Sequence, residues 1–126
     1  MQTIQLFYQS GKIKEEYHIQ NYKKNGVHRT WYENGVTSAK ATFVNDRIEG
    51  FVYRYNKEGE IMYQVEYKEG RLHGKSVYYY QDKKKRIESD YYDNLLHGAV
   101  RIFVDDKLVD EKNYLHGMEV KLKSKL

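Results

Sequence analysis

The 126-residue chain contains no cysteine and no proline, and each absence narrows the fold. Without thiols neither a disulfide framework nor a thiolate metal site can form, and the composition fits a reducing compartment. Without proline, every backbone N–H is free to enter a hydrogen-bonded ladder. Long apolar runs are missing as well: no stretch approaches the roughly 20 residues that cross a bilayer as a helix. Met1-Gln2-Thr3-Ile4-Gln5-Leu6-Phe7 lacks the basic region and apolar run of a secretion signal, so a cytoplasmic location is the expectation. Few segments carry the i, i+3, i+4 apolar spacing of a helix. One-sided charge is also scarce, with 22 basic against 18 acidic residues mixed along the chain for a net +4. Nucleic-acid binders concentrate positive charge on one face. The only dense cluster here is Lys83-Lys84-Lys85-Arg86, followed much later by Lys121, Lys123 and Lys125. These read as a solvated turn and a solubilising tail, and no specific nucleic-acid partner is implied.

The chain does hold 14 tyrosines and 9 glycines, and they are periodic. Phe7, Trp31, Tyr55, Tyr79 and Phe103 lie 24 residues apart. Ile19, Phe43, Tyr67 and Tyr91 keep the same interval, which Leu115 extends. Gly26, Gly50, Gly74 and Gly98 form another register; Gly11, Gly35 and Gly59 form one that Lys83 breaks. Residues that share one period over most of a chain mark a repeat architecture. Each copy reads as two strands and two turns. Asn34-Gly35 is a strong two-residue hairpin signal, with Ser10-Gly11 and Glu58-Gly59 in the equivalent place. A longer turn lies in Tyr67-Lys-Glu-Gly-Arg-Leu-His-Gly74 and in Tyr91-Tyr-Asp-Asn-Leu-Leu-His-Gly98. Short connections make consecutive strands antiparallel neighbours. The expected fold is all-β: a single-layer antiparallel β-meander of about ten strands, twisted or curved, built from five 24-residue hairpin repeats. It forms one domain over residues 1–126, with copies near 3–26, 27–50, 51–74, 75–98 and 99–126.

From Glu60 to Tyr67 the alternation puts Ile61, Tyr63, Val65 and Tyr67 on one side and Glu60, Met62, Gln64 and Glu66 on the other. A single layer has no second sheet to bury against, so stacked aromatic rings are the expected interior. A ring that loses about 150–250 Å² to water contributes on the order of 4–6 kcal/mol before entropy is subtracted. With Trp31, Tyr55 and Tyr79 on the packed side, Tyr32, Arg54, Tyr78 and Tyr80 face the solvent. That second set, rimmed by Lys83, Lys84, Lys85 and Arg86, is the expected partner-binding surface, because tyrosine gives large contact area at low entropy cost.

Trp31-Tyr-Glu-Asn-Gly35 and Tyr67-Lys-Glu-Gly-Arg-Leu-His-Gly74 resemble the MORN-repeat variant of bacterial proteins, of the YwqK antitoxin type. The likeness runs from Phe7 to Gly98 and departs at Lys83 and in the last copy. It implies a curved single sheet without catalytic activity, and an antitoxin or immunity role in which the module neutralises a toxin or another enzyme. Two alternatives stay open: a peripheral binder of acidic phospholipid or another polyanion, and a homo-oligomeric scaffold joined through edge strands.

No catalytic, cofactor or metal site emerges from the residues. The five histidines are His18, His28, His73, His97 and His116. His73 and His97 occupy equivalent turns, about 9.5 Å apart at the spacing of alternate strands, too far to share an ion. The serines lie in no nucleophile-elbow context, and Ser10-Gly11-Lys12 lacks the rest of a phosphate loop. Glu66-Tyr67-Lys68 with Asp46 superficially matches part of a nuclease site, but Glu66 is on the wet side of its strand and Lys68 opens a turn. The pairs Glu15-Glu16 and Asp105-Asp106 are chain neighbours, which a strand sends to opposite faces.

Overall fold

The computed structural model describes residues 1–123, and among these every regular element is a strand. In chain order they are β1 (Gln2–Phe7), β2 (Ile13–Gln20), β3 (Lys23–Lys24), β4 (Gly26–Trp31), β5 (Thr37–Val44), β6 (Arg47–Ile48) and β7 (Gly50–Tyr55). They continue with β8 (Ile61–Lys68), β9 (Arg71–Tyr79), β10 (Lys85–Tyr92), β11 (Leu95–Val104), β12 (Lys107–Leu115) and β13 (Met118–Val120). All belong to one antiparallel sheet of 13 strands whose spatial order follows the chain.

The number exceeds the expected ten for two local reasons. The two-residue strands β3 and β6 are cut from β4 and β7 by a single residue, Asn25 or Glu49, before a glycine with positive φ. The early turn at His116-Gly117 then adds β13 beyond the last full hairpin.

The 24-residue interval reappears as hydrogen bonds between hairpins. The Tyr8 phenol donates to the Trp31 carbonyl at 2.5 Å, and the Tyr32 phenol donates to the Tyr55 carbonyl at 2.6 Å. At the opposite edge, the turn N–H groups of Asp46, Gly70 and Asn94 donate to the carbonyls of Lys24, Ile48 and Leu72. The sheet is therefore tied along both edges, beyond its strand ladders. A β-bulge also recurs, at Leu6/Phe7, Thr30/Trp31, Arg54/Tyr55 and Ile102/Phe103.

The departure at Lys83 fits the same scheme. No register shift occurs between β9 and β10, where Tyr79 lies opposite Arg86. The turn there is one residue longer, closing from Tyr80 N–H to the Lys85 carbonyl where the earlier turn closes from Tyr32 to Val36. A residue spent in a bulge elsewhere is spent in the turn here, so the period survives. Lys83 adopts φ +60°, near the +89° of Gly35 in the equivalent turn.

Burial is shallow because one layer leaves both faces open. Only Val77, Ala99 and Ser38 are buried among the described residues, and no large side chain is fully buried. Aromatic rings meet, as the sequence suggests, but remain half-covered. Phe51, Tyr53 and Tyr55 stack along β7 at 5.9 and 6.3 Å between centroids. Half burial halves the expected contribution to about 2–3 kcal/mol per ring.

The division of residues between faces needs correction. Tyr55 lies opposite Ile61, whereas Arg54 lies opposite Tyr63, with Met62 in the bulge between them. Ile61 therefore faces the side of Trp31, Tyr55 and Tyr79. Tyr63 and Val65 face the side of Arg54 and Tyr78, which the sequence reading made the wet one. A bulge sends two successive residues to one face and breaks the simple alternation. The face bearing Trp31, Tyr55, Tyr79 and Phe103 instead carries the charge network. Lys75 meets Glu88 at 3.4 Å, and Arg101 meets Glu111 at 3.6 Å.

Candidate interaction surface

The tyrosine face is built where β7 to β10 run side by side. Tyr63 and Tyr78, directly opposed across β8 and β9, lie nearly parallel with centroids 6.1 Å apart. Tyr80 stands edge-on to Tyr78 at 6.2 Å, and the Lys85 ammonium sits 4.7 Å from the centre of the Tyr80 ring. Tyr78 keeps 51% and Tyr80 39% of its surface exposed, which leaves ring area for a partner. Arg54 lies opposite Tyr63 on one side and Ala39 on the other. Arg54, Tyr78, Tyr80 and Lys85 are thus brought together on one face.

Tyr32 is used differently. It stands just beyond β4, half-buried, with its hydroxyl committed to the Tyr55 carbonyl. Its equivalent in the third copy is Asn56, whose side-chain oxygen accepts the N–H groups of Glu58 and Glu60. Both side chains hold turns in place.

The run Lys83 to Arg86 does not form the single basic rim the sequence suggests. Lys83 is ion-paired with Glu60, and Lys84 is exposed in the turn with its N–H on Asp82. Lys85 joins the tyrosine face, while Arg86 lies on the other face over the Phe103 ring at 4.0 Å. Arg86 also binds Glu88 at 3.0 Å and Asp106 at 2.6 Å. Alternation along β10 separates Lys85 from Arg86. Burial pushes the Glu88 carboxyl up, yet hydrogen bonds from Arg86 and Lys75 hold it below the usual carboxylate range.

Glu66 and Asp46, weighed for chemistry, serve the backbone, and so does Asp90. The Glu66 carboxylate lies over Gly74 and accepts the Lys75 N–H, and that of Asp90 lies over Gly98 and accepts the Ala99 N–H at 3.0 Å. Asp46 accepts the Lys24 N–H at 2.7 Å. Glu15 lies 3.5 Å from His28, while Glu16 accepts from Gln5 on the opposite face. His28 is packed between Tyr17 and Phe43 at 5.2 and 5.7 Å. Burial and then the Lys24 ammonium push its pKa down, and Glu15 opposes them without winning. Neutral His28 can accept from Lys24 at Nδ1 and offer Nε2–H to Glu15.

His73, Tyr92, His97 and His116 stack along one edge, with successive centroids 4.7, 5.9 and 4.7 Å apart. The Tyr92 ring fills the gap between the two equivalent histidines. His97 and His116 come close because the last copy turns early. Among the described residues no three His, Cys, Asp or Glu side chains converge to hold a metal ion.

Sequence reasoning missed the part of the face made by Tyr63, Val65 and the paired Ser76 and Ser89. Two small residues opposite each other, at positions flanked by tyrosines along both strands, were the available signal. No curated protein matches the chain. Its first two hairpins are similar to the family described as MORN repeat variant, over residues 3–21 and 24–45.

Proposed function

We propose that the chain is a non-enzymatic protein-binding module of the antitoxin or immunity type, which neutralises a toxin or another enzyme by covering it. MORN-repeat modules are generally protein-interaction scaffolds, and the match over residues 3–45 supports the coarser part of this reading. The observation that carries it is the tyrosine face, where exposed Tyr78 and Tyr80 stand beside Arg54 and Lys85 in the composition favoured at interface hot spots. A cytoplasmic setting belongs to the same proposal. The test is calorimetry between this chain and the product of a neighbouring reading frame, together with rescue of cells from that product's toxicity. Micromolar or tighter binding, weakened at least tenfold by Tyr78→Ala or Tyr80→Ala, is expected. A neighbour that fails to bind, or binds both variants unchanged, sinks the proposal.

One observation favours a second reading, a homo-oligomeric scaffold. Edge strand β1, Gln2–Phe7, carries no charged side chain, and charge is the usual guard against edge-to-edge pairing. Light scattering that gives a monomer at every accessible concentration removes this reading. A polyanion binder has weaker support, since Lys83 and Arg86 are already paired with acids. Its mark is binding to anionic vesicles that collapses with added salt.

A further inference from the structure

A trough of small side chains crosses the tyrosine face at right angles to the strands. Its floor is the row Val52, Val65, Ser76, Ser89 and Val100, each opposite the next on β7, β8, β9, β10 and β11. One bank is the row Arg54, Tyr63, Tyr78, Ile87 and Ile102, joined by the same pairings two residues along. The other bank is formed by Tyr67, Leu72, Tyr91 and Leu96. The central concavity, between β8 and β10, measures about 420 Å³ and has no charged residue in its lining. The Ser76 hydroxyl on its floor is buried without a partner.

We propose that this trough receives an amphipathic α-helix of the partner protein, with an apolar stripe facing the floor and acidic residues on the flank beside Arg54 and Lys85. The inference rests on the protein-binding reading and specifies its occupant. Three physical points lead to it. The floor crosses five strands, four steps of about 4.8 Å, hence roughly 19 Å or about 13 residues of helix. The banks are four residues apart along β8, about 13 Å, close to the 10–12 Å breadth of a helix with its side chains. An extended segment in the same place would bury unpaired peptide groups, because the middle of a sheet has no free backbone to offer; a helix satisfies its own.

Charge sets that flank. On this face of β7 to β12 the ionised side chains are Arg54, Lys85, Lys107 and Lys112, with Asp110 the sole acid among them. The excess is positive and lies along the first bank and at the β12 end of the trough, while the floor is neutral. A helix with an acidic flank is attracted and a basic one repelled.

The probe is a displayed library of random 14-residue peptides selected against the whole chain. Enriched sequences are expected to carry apolar residues at i, i+3, i+4 and i+7 with an acidic flank. Their affinity is expected to fall at least tenfold on Ser76→Phe, which fills the floor, and equally on Ser89→Phe one strand away. Lys75→Ala, on the opposite face, is expected to leave it unchanged; circular dichroism certifies the fold of each variant. Enrichment of peptides with alternating apolar residues, of basic peptides, or of peptides indifferent to both fillings overturns the helix in the trough while leaving a protein-binding module intact. Failure to enrich any peptide also overturns it, and the calorimetric test with the neighbouring gene product then decides the broader function separately.

Discussion

Gly50 and Gly98 hold equivalent places two copies apart, and both have positive φ, +83° and +114°. Alanine at either site meets the left-handed penalty of about 1–2 kcal/mol. The surroundings differ. A Cβ on Gly50 finds nothing within 4 Å, whereas one on Gly98 lies 2.9 Å from Asp90 Oδ2 and 3.0 Å from Asp90 Cβ. That carboxylate accepts the N–H of Ala99, a residue only 4% exposed. Displacing it strands a buried donor, which costs a further 1–3 kcal/mol or so. Gly50→Ala should therefore lose about 1–2 kcal/mol and Gly98→Ala about 2–5 kcal/mol. With a urea slope near 1.5 kcal/mol per molar, the midpoints should differ by roughly 0.7–2 M. Asp90→Ala should also destabilise the parent more than it destabilises Gly98→Ala, because the bond has already been lost there. Equal midpoint shifts for the two alanines would refute the claim that the Asp90 cap distinguishes these copies.

Two further outcomes follow from the turns and the packed histidine. Lys83→Gly should stabilise the chain by about 0.5–1 kcal/mol in urea titration, since glycine occupies φ +60° without the Cβ penalty and the exposed Glu60 pair it gives up contributes little; a loss of stability counts against the strained-turn reading. His28 has a folded pKa below its ordinary 6.5, so the unfolded chain binds the proton more tightly. Stability should be level above about pH 6.5, fall as the pH drops through that value, and lose this slope in His28→Phe; a stability that rises on acidification over the same window reverses the sign and refutes the neutral assignment. Glu88, whose folded pKa is lowered, adds a separate loss below about pH 4.5 in both proteins.

The all-β sheet was legible because a fixed interval survives in every kind of residue that shapes a strand: aromatics, turn glycines and apolar positions. The face assignment was not legible, and the reason is local. At Arg54/Tyr55 the chain spends its extra residue in a bulge, and at Tyr79 it spends it in a longer turn around Lys83, so both copies read 24 residues in sequence. Period alone cannot tell these apart, yet the bulge at Met62 decides that Ile61 and Tyr63 look to opposite sides. The same ambiguity hid the trough, whose floor joins residues from five strands and can be traced only when every register is known.

The bulge also links sequence to surface. It recurs beside Phe7, Trp31, Tyr55 and Phe103, so it keeps the large aromatic residue on the charged face while turning the second strand of the hairpin over. In β8 that turn-over delivers Tyr63 and Val65 to the face of Arg54 and Tyr78. With simple alternation those apolar side chains would lie among the ion pairs of the charged face, and the tyrosine face would lose a bank of its trough. A single added residue per hairpin thus separates a polar network from an apolar groove on a sheet one layer thick, which gives a chain with so little buried core two chemically distinct surfaces.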